Sequence, residues 1–268
     1  MVGQERVLEV ARESLVARAR SGERGLLGTW IKIPALETVQ LVAHAGFDFV
    51  VIDMEHAPFS LERANELVFC AQAMGMSALV RVPDHLGMTI QPLLDGGADG
   101  LLVPRVTEPA TAAAVTRRMV FAPKGERGLG STSRAGRWGL APMHEYLGRE
   151  EETLRMIQLE DWASLERAAE FASLEHVNGL FIGHGDLLLS SGKPASDPEV
   201  RDLTARMLEA TKTAGILSGI AVPSPEEASD ALAMGFSLVM LSNDTTLFGR
   251  AAADAVRAAR EGMPSKDT

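Results

Sequence analysis

Glu160 and Asp186 form the first pair of side chains in this chain whose type and placement suggest chemistry. Each closes a short apolar run, LRMIQLE for the first and LFIGHGD for the second. The stretch between them, WASLERAAEFASLEHVNG, sets Leu165, Ala168, Ala169, Ala172 and Leu174 at three- and four-residue steps, the spacing of a helix. Strand, helix and strand in that order make a βαβ unit with parallel neighbouring strands. Both carboxylates then stand just past the carboxyl ends of their strands, where α/β folds build their sites. An all-oxygen pair there suits a hard divalent cation such as Mg²⁺ or Mn²⁺. The competing assignment is local, with Glu160 and Asp186 as caps of the helices that follow them.

Other strand ends carry further candidates. FDFVVIDMEH places Asp53 three residues before His56, a spacing that lets a carboxylate orient an imidazole acting as general base. SALVR ends in Arg81, a guanidinium with no cation near it in sequence, and an arginine in such a position must face an anion. Gln158 alternates onto the same side as Glu160. Gly183 and Gly185 leave the amides ahead of Asp186 open to a carboxylate. Pro104-Arg105 and Asn243-Asp244 close two more strands. In TWIKI, Trp30 and Lys32 share one face, pointing either inward or toward the covering helices. In the helix-facing case Lys32 must snorkel out; in the inward case it adds a cation beside Arg81.

The elements that must position these groups recur with regularity. After Gly25, eight apolar runs are each followed by a helical pattern, and the runs are continuous rather than alternating. That is expected of parallel strands covered by helices on one side and packed on the other. The fold class is therefore α/β, a closed (β/α)₈ TIM barrel preceded by an N-terminal helix. Residues 1–24 form the N-terminal helical extension, 25–262 the catalytic barrel and 263–268 a tail. One connection exceeds a turn: APKGERGLGSTSRAGRWGLAPMHEYLGREEE, glycine-rich and carrying Arg127, Arg134 and Arg137. Such long loops in compact domains are usually functional.

The bulk properties bound the partners. A net charge of −10 over 268 residues disfavours nucleic acid and anionic membrane, both of which need clustered positive charge. Charged residues at 23% and hydrophobic ones at 46% are those of an ordinary globular protein. Cys70 is the only cysteine, so no disulfide framework exists and a reducing cytoplasm is expected. The first 24 residues mix acids and bases without an apolar core, which predicts an amphipathic helix and not a secretory signal.

Taken together, IDMEHAP, LVRVP, LLVPRV, GERGLGSTSRAGRWG, IQLE, IGHGDL and NDTTL resemble the HpcH/HpaI family of class II pyruvate aldolases, in the family's own order from about Gly28 to the last helix. The resemblance implies a divalent metal (Mg²⁺ or Mn²⁺, with Co²⁺ a further candidate) held by Glu160 and Asp186. It implies proton transfer at His56 with Asp53 as its partner, Arg81 on the substrate's keto oxygen, and Gln158 in the same pocket. Trp30, Lys32 and Gly185 complete the expected substrate-binding set. The implied reaction is reversible cleavage of a 4-hydroxy-2-oxo acid to pyruvate, or a related 2-oxo acid, and an aldehyde. A homo-oligomer is implied as well, a hexamer built as a trimer of dimers that exchange their last helix. Two residues depart from the pattern: His184 stands where a proline is usual, and Lys32 where a small residue is expected. A Schiff-base route fits less well, because of Lys32, Lys124, Lys193, Lys212 and Lys266 only Lys32 falls in a strand.

Two rivals remain. A related lyase of the citramalyl- or malyl-CoA type would share the metal pair but should carry basic surface for the CoA phosphates. A non-catalytic barrel should have lost some of the strand-end groups.

Overall fold

The computed structural model describes residues 13–21 and 25–261. Eight parallel strands close into a barrel in sequence order: β1 (Leu26–Ile31), β2 (Phe49–Asp53), β3 (Ser77–Arg81), β4 (Gly100–Val103), β5 (Leu154–Leu159), β6 (Gly179–Ile182), β7 (Leu217–Val222) and β8 (Leu238–Asn243). This is the expected (β/α)₈ architecture. The termini proposed as separate segments lie largely outside the described residues.

Two cores follow from strand alternation. The inner one fills the barrel with Leu26, Trp30, Phe49, Val51, Leu79, Leu102, Leu154, Met156, Phe181, Leu217, Leu238 and Met240. The outer one joins the opposite strand faces to the helices. The Phe49 ring occupies the space where a Cβ on Gly28 would stand, 2.4 Å from its nearest ring atom. Deleting a ring so enclosed costs about 3–5 kcal/mol.

The helix Leu15–Ser21 closes the amino-terminal end of this interior. Leu15 and Val16 are buried within the inner core, and Arg18 reaches Asp48 at 2.9 Å. Asp48 in turn accepts the Leu27 backbone N–H at 3.0 Å, tying the helix to the first strand. A segment with no assignable task in the sequence is thus the floor of the barrel.

The long connection before β5 runs at the same end, since it leads from the helix Pro109–Arg117 into a strand start. Its arginines are anchors. Arg127 is buried, lies 4.3 Å over the Phe121 ring and bonds Asp95 at 2.8 Å. Arg134 donates to the Gly96 carbonyl at 2.7 Å and to Gln72 at 2.6 Å. The expected functional loop therefore uses these two cations to fasten itself to neighbouring helices, away from the mouth of its own barrel.

The last helix, Asp244–Glu261, behaves oppositely. It leaves the barrel after its first turn and exposes Leu247, Phe248 and Val256. Among the described residues no helix is long and apolar enough to cross a membrane.

Candidate active site at the carboxyl ends of the strands

Strand alternation carries the inner face upward to a polar layer. Above Phe49 and Val51 on β2 comes Asp53; above Ser77 and Leu79 on β3 comes Arg81; above Leu154 and Met156 on β5 come Gln158 and Glu160. Above Trp30 on β1 comes Lys32, one residue past the strand, so the shared face of Trp30 and Lys32 is the inward one.

Asp53 is the hub. Fully buried, it pairs across the β2–β3 register with Arg81, whose Nε donates to Oδ1 at 2.8 Å and Nη2 to Oδ2 at 2.7 Å. The Lys32 ammonium donates to Oδ2 as well. Burial alone would raise this carboxyl, but the bonds and charges of Arg81 and Lys32 outweigh it and hold the pKa at about 2. Trp30 packs beneath Arg81, 4.3 Å from ring centroid to guanidinium, and meets Phe181 edge-on. Asp244, buried at the start of the last helix, accepts the Lys32 N–H at 3.0 Å and the Ile33 N–H at 2.8 Å, fixing the backbone that presents the lysine. Asn243 caps the same helix by accepting the Thr246 N–H at 2.8 Å. The strand-end pair Asn243-Asp244 is therefore scaffold.

Glu160 is the second centre. It is 7% exposed and accepts the Arg105 N–H at 2.6 Å and a bond from the Gln158 amide. Gly183 allows β6 to close over both: a Cβ there would stand 2.9 Å from Gln158 Nε2 and 3.1 Å from Glu160 Cβ. Burial, and the negative charges of Glu55 and Asp186, push the Glu160 carboxyl up to about 7 against the bonds from Arg105 and Gln158. Asp186 lies half-buried in the first turn of the helix His184–Ser191. Neither acid caps a helix. Asp161 caps Trp162–Glu166 and Asp197 caps Pro198–Ala214, while the His184–Ser191 helix has no side-chain cap. Glu160 thus sits buried within the field of two further carboxylates, Glu55 and Asp186, and an all-oxygen set of this kind fits a hard divalent ion. Among the described residues no third His, Cys, Asp or Glu completes a ligand cluster, so an ion here keeps open positions for substrate and water.

His56 departs from its expected pairing. Asp53 Oδ1 accepts the backbone N–H groups of Glu55 and His56, at 3.2 and 3.3 Å, and not the imidazole. The ring lies exposed at the rim with Nε2 3.6 Å from Glu55 Oε2. The carboxyl beside it is Glu55, buried and bracketed by Arg81 Nη1 at 3.2 Å and Arg105 Nε at 2.8 Å. Glu55 and Arg105 stood among the strand-end residues, but nothing in sequence assigned them a role. The physical reason is that Asp53 is saturated by two cations and two amides, leaving no lone pair for a ring.

Gly185 is exposed in the first turn of His184–Ser191 with open space around it. His184, the departure from the family pattern, turns away from the mouth toward Thr204 Oγ1 at 3.5 Å, and burial lowers its pKa. Gln158 Oε1 is buried without a partner. The site thus contains Lys32, Asp53, Glu55, His56, Arg81, Arg105, Gln158 and Glu160 in one connected layer, with Asp186 acting on it by charge.

The same chain is similar to known proteins over most of its length. The sequence model of the HpcH/HpaI aldolase/citrate lyase family matches residues 27–251. A 4-hydroxy-2-oxovalerate aldolase of Rhodococcus jostii (strain RHA1) is 34% identical over 238 residues, 87% of this chain and 91% of that one. A hydroxypyruvate/pyruvate aldolase of Deinococcus radiodurans is 35% identical over 242 residues, 87% and 85% of the two chains. The crystal structure of a protein of the same family from Burkholderia cenocepacia J2315 superposes with a TM-score of 0.84 at 29% identity, covering 92% and 98%.

Proposed function

Since the chain belongs to the HpcH/HpaI aldolase/citrate lyase family, we propose that its mouth is the active site of a divalent-metal-dependent aldolase, an aldehyde-lyase that cleaves 4-hydroxy-2-oxo acids to pyruvate, or a related 2-oxo acid, and an aldehyde. The observation that carries the reading is the Glu160–Asp186 carboxylate pair, free of any capping duty and facing the Asp53–Arg81 fork across one barrel mouth.

Glu160 and Asp186 would hold Mg²⁺ or Mn²⁺, with Co²⁺ able to substitute. Bound there, the ion supplies Lewis acidity toward the keto and carboxylate oxygens of the 2-oxo acid. Arg81 adds a fixed positive charge beside the keto oxygen, where negative charge develops. Its Nε and Nη2 are bonded by Asp53 and its Nη1 lies 3.2 Å from Glu55 Oε2, so the guanidinium acts from a fixed position. Trp30 backs the guanidinium and excludes water beneath it. Lys32 keeps Asp53 ionised and so keeps Arg81 aligned. Gln158, whose carbonyl oxygen is buried without a partner, lines the same pocket through its bond to Glu160, and Gly185 offers a first-turn amide to the substrate carboxylate. His56 moves the proton of the hydroxyl that is made or broken at the aldehyde carbon, with Glu55 beside its ring.

We also propose a homo-oligomer, a hexamer built as a trimer of dimers that exchange the Asp244–Glu261 helix. The exposed Leu247, Phe248 and Val256 on that helix support it. The lone buried Cys70 supports a reducing cytoplasm.

Proton NMR of pyruvate in D₂O tests the reading without knowledge of the acceptor. Methyl exchange with enzyme plus Mg²⁺ or Mn²⁺, abolished by EDTA, is expected. Exchange that persists in chelator would overturn the metal-dependent reading.

A further inference from the structure

We infer that Arg105 selects acceptor aldehydes that carry a negative group, a carboxylate foremost. The inference rests on the aldolase reading of the mouth and adds the substrate class it serves.

Arg105 follows β4 after Pro104, and its backbone adopts φ 57°, the left-handed region that residues with side chains rarely occupy. Two anchors hold it there. Its backbone N–H donates to Glu160 Oε1 at 2.6 Å, and its Nε donates to Glu55 Oε1 at 2.8 Å. A conformation so costly persists only when the surroundings over-determine it, and such positions cluster at ligand clamps. Here the backbone is fixed on the proposed metal ligand Glu160, and the guanidinium is held on Glu55, one edge tied to that buried carboxylate.

The other edge is open. The Arg105 side chain is 65% exposed, and among the described residues its terminal nitrogens make no further bond. Three cations join the carboxylate layer, and the other two are committed. Arg81 is buried between Asp53 and Glu55, and the Lys32 ammonium is committed to Asp53. Arg105 is the member of the set with donors still facing solvent at the rim where an aldehyde must enter.

The electrostatics make such a group necessary for one class of acceptor. Asp53, Glu55, Glu160 and Asp186 crowd the mouth with negative charge, which repels a carboxylated aldehyde unless a cation meets its far end. A planar fork with two free donors fits a carboxylate bidentately. A neutral aldehyde gains nothing from it. Were Arg105 only a counter-ion for Glu55, a second cation on an acid already faced by Arg81 would need neither the left-handed backbone nor the exposed edge.

The test compares pyruvate addition to glyoxylate and to glycolaldehyde, which differ in the carboxylate. Wild-type protein should show a ratio of kcat/KM values favouring glyoxylate, and Arg105→Gln should lower that ratio about tenfold or more, the size of a lost charge-assisted pair, chiefly through the aldehyde KM. Arg105→Lys should fall between the two. Equal losses toward both aldehydes would overturn the inference and leave Arg105 as a support for Glu55. Should Arg105→Gln prove insoluble, salt decides on wild-type protein. Raising NaCl from about 0.05 to 0.5 M should lower the ratio severalfold by screening an exposed cation, and a ratio indifferent to salt would count as refutation. Pyruvate methyl exchange separates the two failures. Exchange with an unchanged ratio in Arg105→Gln sinks this inference alone, whereas no exchange in the wild type sinks the aldolase reading with it.

Discussion

Asp53 grips Arg81 by two parallel bonds, 2.8 Å from Nε and 2.7 Å from Nη2, across the register of adjacent strands, and that grip sets the angle of the guanidinium at the mouth. The orientation is then locked from below by Trp30 and from the side by Glu55. Alignment here is a property of the whole layer.

Lys32 should accordingly matter through Asp53 and not as a free cation for substrate. Lys32→Met is expected to lower kcat/KM by about tenfold with anionic and neutral aldehydes alike, as for loss of a bond to a charged group. The same glyoxylate and glycolaldehyde assays read it, and a loss confined to glyoxylate would show that the lysine meets the acceptor directly. Asp53 also links the layer to pH. Its depressed pKa gives stability that is present above about 3.8 and drains away as pH falls through about 2, worth about 2 kcal/mol. Urea unfolding from pH 5 down to about 2.5 should show that component in the wild type and lack it in Asp53→Asn.

Glu160 works in the opposite sense. Its pKa is raised to about 7, so the metal-free protein gains from holding a proton there at low pH and loses that gain as pH rises through about 7. Metal-free protein should therefore melt at a lower temperature at pH 8 than at pH 5, with about 3 kcal/mol at stake. Saturating Mn²⁺ should flatten the dependence by replacing the proton with a cation, and Glu160→Gln should abolish it without metal. Thermal melts over that range with and without EDTA check this; a wild-type profile that Mn²⁺ does not alter would remove Glu160 from the metal site.

The carboxylate beside His56 is open to a direct test. Glu55→Gln and His56→Ala should both cut aldol cleavage by about a hundredfold, within the range of a lost general base, while sparing pyruvate methyl exchange. Near-normal cleavage by Glu55→Gln would return the partnership with His56 to Asp53 or dispense with it.

The barrel was legible because continuous apolar runs and helical spacings alternate with so few interruptions. Alternation along IQLE likewise put Gln158 and Glu160 together on one side. What escaped depended on third dimensions. The face shared by Trp30 and Lys32 was determined only to within a choice of two, since period-two patterning does not say which face is inside. Asp53 and His56 looked like a pair by spacing, but spacing carries no account of how many donors a buried carboxylate already serves. Arg105 was legible only as a strand-end residue, because its left-handed backbone and its bond to Glu160 join positions far apart in sequence. The loop arginines were opaque for the complementary reason: Arg127 and Arg134 find their partners on helices of earlier units.

Asp244 adds a temporal dimension to the mouth. It holds the backbone of Lys32 and Ile33 from the opposite end of the chain, and Thr29 Oγ1 donates to the Leu241 carbonyl at 2.9 Å in the same seam. Among the described residues these belong to the contacts of greatest sequence separation, and closing a loop of nearly the whole polypeptide makes such contacts slow to form. A nascent chain can therefore lay down most of its strands and helices without yet possessing a competent mouth. The backbone that presents Lys32 to Asp53 is complete only when the final strand is docked, so the finished mouth requires a closed barrel.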